Sequence, residues 1–88
     1  MVSVIKRDGK REKFKKGKIK KGILEAAKRA DVSKDRANEV AERVAAKIEN
    51  EARKVAEIRS SEIRDKVLSA LEDEEASIAD EFRNYKKA

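Results

Sequence analysis

Apolar residues return at helical spacing along four successive stretches of this chain, leaving room for little besides helices over most of its length. Ile19, Ile23, Leu24, Ala26, Ala27 and Ala30 mark the first stretch. Ala37, Val40, Ala41, Val44, Ala45 and Ile48 mark the second. Ile63, Val67, Leu68 and Leu71 mark the third, and Ala76, Ile78, Ala79, Phe82 and Tyr85 the fourth. The spacing predicts helices over about residues 17–30, 34–53, 61–72 and 75–87. Ser33 reads as the N-cap of the second helix, and Ser60 or Ser61 as that of the third. The acidic run Glu72-Asp73-Glu74-Glu75 reads as a solvated junction before the fourth.

Composition narrows what such helices can build. Of 88 residues, 48% are charged and only three are aromatic, so the core rests on Ala, Val, Ile and Leu. That length suits one domain, here expected over 1–88, with a small core. Cysteine and histidine are absent, which removes disulfides, thiol nucleophiles, and the commonest general base and metal ligand. Gly9, Gly17 and Gly22 do not fit a Walker-type phosphate loop. The chain therefore reads as a non-enzyme. No apolar run approaches the roughly 20 residues of a membrane helix, and a cytoplasmic location is the expectation.

The N-terminal stretch departs from the helical pattern. Val4-Ile5 and Phe14 favour strands, and Asp8-Gly9 between them suits a two-residue type I′ turn. A hairpin over 2–14 follows, with Arg7 facing Lys10, Ile5 facing Glu12 and Ser3 facing Phe14. Such a hairpin is marginal alone and needs helices to pack on. Val55 to Ile58 reads either as the frayed end of the second helix or as a brief third strand. The expected fold is α+β and mostly helical: a two- or three-stranded β cap on a four-helix bundle.

Charge concentrates on this cap. Residues 6–21 hold ten Lys or Arg against two acids, a local +8, whereas the whole chain is +6. Such polarity suits a polyanion. Lys6, Arg7, Arg11 and Lys18 converge on phosphate if the hairpin folds over the start of the first helix. Val4, Phe14 and Ile19 then supply either apolar surface for a purine ring or plain core. Glu12 and Asp8 sit among lysines and are suited to remain ionised.

The set Val4-Ile5-Lys6-Arg7-Asp8-Gly9, Glu12-Lys13-Phe14 and Lys18-Ile19 resembles the opening signature of the ATP-cone domain. The resemblance continues through Ala26-Ala27, Val44, Ile48, Ser60-Ser61-Glu62-Ile63, Val67 and Leu71 to the segment from Ala76 to Tyr85. It implies a regulatory module that binds ATP or dATP, with Mg²⁺ on the triphosphate, as found in ribonucleotide reductases and the repressor of reductase genes. Carried over, Lys6, Arg7 and Lys18 would hold phosphates, and Val4 and Ile19, beside Phe14, would contact adenine. Glu12 would accept from its exocyclic amine, Ser60 and Arg64 would face the sugar–phosphate side, and Lys86-Lys87 would close over the triphosphate. A homo-oligomer, or a reductase or regulator, is the implied partner. One departure stands out: Lys15 occupies the position where the family places Asp or Asn, which caps the first helix and reaches the ribose. A small basic nucleic-acid-binding module is the alternative function, although it lacks the aromatic platform of single-strand binders. A plain helical interaction module is a third.

Overall fold

A computed structural model of the chain describes residues 2–84. Two short strands, β1 (Ser3–Ile5) and β2 (Arg11–Lys13), lead into α1 (Lys16–Arg29) and α2 (Lys34–Ala52). A third strand, β3 (Glu57–Arg59), precedes α3 (Ser60–Glu74) and α4 (Ala76–Asn84). The architecture is α+β and mostly helical, as its patterning implied. Tyr85, Lys86 and Lys87 lie outside the described residues.

The apolar stripes of the four helices share one core. Ile23 and Ala27 of α1 meet Val40, Val44 and Ile48 of α2, Val67 and Leu71 of α3, and Ile78 and Ala79 of α4. Alanine at so many of these positions keeps the layer thin and lets helix backbones approach closely. No polar or charged side chain among the described residues is buried with them.

The sheet has the order β2-β1-β3, antiparallel on one side of β1 and parallel on the other. Of the stretch left open in the sequence, Glu57 and Ile58 join Arg59 in a strand, and Val55 and Ala56 form the bend before it. Val4 pairs in register with Ile58, and both turn inward, 8% and 5% exposed. The parallel pairing needs a long crossover, and α1 with α2 provides it.

The hairpin closes by a different turn from the one expected. Ser3 lies opposite Lys13, Val4 opposite Glu12 and Ile5 opposite Arg11. The Lys6 N–H donates to the Lys10 carbonyl, and the Gly9 N–H to the Lys6 carbonyl, both at 2.9 Å. The loop therefore has three residues, Arg7-Asp8-Gly9, and only Gly9 takes a positive φ, +85°. Asp8 instead accepts the Lys10 N–H on its Oδ1 at 3.0 Å. A one-residue change of register exchanges the faces of a strand. The expected partnering of Arg7 with Lys10, Ile5 with Glu12 and Ser3 with Phe14 is replaced. Glu12 and Phe14 join Val4 and Lys6, and Arg11 leaves them for the far face, ion-paired with Glu57.

Helix ends also depart from expectation. Ser33 caps α2 as read, its Oγ accepting the Arg36 N–H at 3.3 Å. Neither Ser60 nor Ser61 caps α3, because the helix begins at Ser60 and Arg59 holds the cap position without a side-chain bond. The acidic run does form the junction between α3 and α4, exposed at Glu72 and Asp73 and half-buried at Glu74 and Glu75. Glu72 and Glu74 lie in the last turns of α3, at the negative end of its dipole, where acids are unfavourable. Arginines offset this: Arg43 pairs with Glu74 at 3.2 Å and Arg83 with Glu72. Arg36, from the first turn of α2, donates to the Glu75 carboxylate at 3.1 Å and to the Glu74 carbonyl at 2.8 Å.

Candidate functional site

The corrected register assembles the site. Even-numbered residues of the hairpin face the bundle, so Val4, Lys6, Glu12 and Phe14 point to the same side, toward the start of α1. There Lys15, Lys18 and Ile19 meet them, and Ser60 and Ile63 approach from the first turn of α3. Together these residues enclose an open cavity of about 250 Å³. Val4, Phe14, Ile19 and Ile63 give it an apolar wall, and the lysines a cationic rim. The choice between purine surface and core dissolves for Phe14 and Ile19: both pack on the core cluster and line the cavity.

Glu12 is the electrostatic centre. Its two carboxylate oxygens engage different lysines, Lys6 Nζ at 3.1 Å and Lys18 Nζ at 3.3 Å. The hydrogen bond from Lys6 holds the Glu12 carboxyl below its ordinary 4.5; desolvation opposes it, and Lys18 adds to the lowering. At neutral pH the group is a carboxylate that accepts and does not donate. Lys6 and Lys18 are thereby held at one opening, each paired with Glu12.

Seven predicted site residues thus come together: Val4, Lys6, Glu12, Phe14, Lys18, Ile19 and Ser60. Arg7 stands apart, in the hairpin turn over a neighbouring cavity that shares Lys6 and Ser60. Arg64 turns toward α4: its Nη2 donates to the Arg83 carbonyl at 3.1 Å, and its guanidinium lies 5.5 Å from the Phe82 ring centre. Arg11, expected to converge on phosphate with Lys6, sits on the opposite sheet face. Lys20 is likewise absent from the cavity, paired with Glu42 of α2. Ile63 was read only as core; its place three residues after Ser60, on the same helix face, was the available signal. A larger depression of about 390 Å³ lies where α1 meets α2, lined by Leu24, Val32 and Ala37 beside Lys28 and Lys34, away from this site.

Among the described residues no group of acids, histidines or cysteines is placed to hold a metal ion, and no helix is long and apolar enough to cross a membrane. Over 50 residues the chain is 42% identical to the transcriptional repressor NrdR of Thermotoga neapolitana. That alignment covers 57% of this chain, which thus spans only 32% of the relative's length. The family model of the ATP cone domain matches residues 2–88, and the chain belongs to the ATP-cone family.

Proposed function

We propose that this domain binds ATP or dATP at the cavity between hairpin, α1 and α3, and acts as a non-catalytic regulatory module. The observation that carries the reading is the convergence of Lys6, Lys18 and Glu12 with the apolar wall of Val4, Phe14 and Ile19 around one opening. Adenine lies against Val4 and Ile19, and Glu12 accepts from its exocyclic amine. Lys6, Arg7 and Lys18 hold phosphates, with Mg²⁺ carried by the triphosphate and not by acids of the chain. Ser60 faces the sugar–phosphate side. Arg64 serves the same side only if it leaves the end of α4 when nucleotide binds.

Regulation follows from where the ligand sits. It bridges three elements that meet through the packing of Phe14, Ile19 and Ile63 on the core and the Lys18–Glu12 ion pair, so its added contacts stabilise one arrangement of cap and bundle over others. The outcome is a changed surface toward a second copy or toward a reductase or regulator. Binding raises stability by roughly 2.7 kcal/mol at a hundredfold excess over Kd. Thermal-shift measurement is expected to show this with ATP and dATP but not GTP. The double variant Lys6→Glu, Arg7→Glu is expected to lose the shift while keeping its helical circular dichroism. No shift at millimolar ATP or dATP would refute the reading.

Nucleic-acid binding is the second reading, favoured by the local charge of +8 over residues 6–21 and by a relative named as a transcriptional repressor. Steeply salt-dependent DNA or RNA binding without an adenine-nucleotide response would select it.

A further inference from the structure

A second cavity, about 370 Å³, opens at the turn end of the sheet and shares Lys6 and Ser60 with the first. Its charged lining is Lys6, Arg7 and Arg59, with Ser61 next to Ser60. No carboxylate lines it, whereas Glu12 stands inside the first cavity. The arginines of the sheet and its turn divide accordingly. Arg11 is ion-paired with Glu57 across the sheet. Arg7 and Arg59 have no acid partner among the described residues, and both line this second cavity.

We infer that Arg59 is a further phosphate-recognising residue, which with Arg7 receives the terminal phosphates of a nucleoside triphosphate. This rests on the adenine-nucleotide reading above and deepens it. The first cavity has an apolar wall and an internal carboxylate, a lining suited to a base and its sugar. In the second, Lys6 is already paired with Glu12, but Arg7 and Arg59 face no internal anion, so a multiply charged external anion lowers their mutual repulsion. Guanidinium groups offer a planar fork that meets phosphate oxygens two at a time, which an ammonium does not. Because Lys6 and Ser60 belong to both cavities, a ligand seated base-first in one carries its phosphate chain into the other. Arg59 follows inward-facing Ile58 and stands in register with Ile5, so it leaves β3 on the face that carries Arg11, at the end of the sheet where the hairpin turn and the start of α3 close the second cavity.

Calorimetric titration of the full chain with ATP, AMP and inorganic tripolyphosphate, at one salt concentration, tests this. Arg59→Ala is expected to weaken ATP and tripolyphosphate by about tenfold, the loss of one charge-assisted contact, and to leave AMP within about twofold. Arg59→Lys is expected to fall between, keeping charge but not the fork. Arg59 is exposed, and melting curves check that each variant folds. Unchanged ATP binding by Arg59→Ala, or equal losses for ATP and AMP, overturns the inference. Arg59-dependent binding of tripolyphosphate without any preference for an adenine nucleotide keeps the phosphate role of Arg59 and removes the adenine reading. If none of the three probes binds, both fall.

Discussion

Asp31 holds the least comfortable backbone among the described non-glycine residues, with φ at +60°. It follows the last turn of α1, where its N–H donates to the Lys28 carbonyl at 3.2 Å and that of Val32 to Ala27 at 3.0 Å. This is the paired bonding of a left-handed helix terminus, a position that favours glycine. Asp31→Gly is therefore expected to raise stability by about 1 kcal/mol in denaturant melts. A loss would mean that the side chain contributes more than the backbone costs. Glu12 makes a prediction of opposite character. Its folded pKa lies below the ordinary 4.5, so its contribution is present above that pH and is lost as pH falls through the folded value. Acid titration is expected to weaken the wild type below about pH 4.5 more than Glu12→Gln, which has no such proton to take up. Parallel acid profiles for the two proteins would remove Glu12 from that role. Which lysines it holds was not readable from the chain, since eight of the other twelve residues from 6 to 18 are Lys or Arg.

At the scale of elements, the junction between α3 and α4 depends on a residue distant in sequence. Arg36 closes it from α2, and the Glu75 carboxylate beside it, more than the other acids around it, favours its charged form. Arg36→Ala is expected to lower the thermal midpoint more than Arg43→Ala. Of the two, Arg36 donates to a main-chain carbonyl at the end of α3, whereas the pairs made by Arg43 lie on the surface. Equal effects would reduce the junction to a set of surface ion pairs. The hairpin teaches a related lesson. Asp-Gly announces a turn, and both a two-residue and a three-residue loop place Gly9 at a positive φ. Choosing between them needs the core, because only the three-residue loop puts Phe14, which packs on the core, on the face that Val4 turns inward. β3 was left between a strand and a helix end, since three residues with a single apolar one have no period to read.

For the whole molecule, stability rests on a thin layer of aliphatic side chains. Ile48 is 1% exposed at its centre, and Ile48→Ala is expected to cost about 2–5 kcal/mol. For a domain of this size that lowers the melting midpoint by about 10 °C or more. Val55, 47% exposed, is the control: Val55→Ala is expected to stay within about 0.5 kcal/mol. Similar costs at the two sites would contradict the core drawn here. The sequence by itself determined the helices, their buried faces and the cationic character of the cap. Those properties are local, set by a period of 3.6 residues and by charge density along the chain. Tertiary structure decided the register, the third strand, and therefore which cations face a common opening. It moved Arg11 out and turned Arg64 toward α4, while it set Arg59 beside Arg7. The reason is that side-chain direction in a strand alternates with every residue, so the pairing that sets Glu12 opposite Val4 decides which cations flank it, and Arg59, one residue past inward-facing Ile58, reaches only the cavity at the end of the sheet.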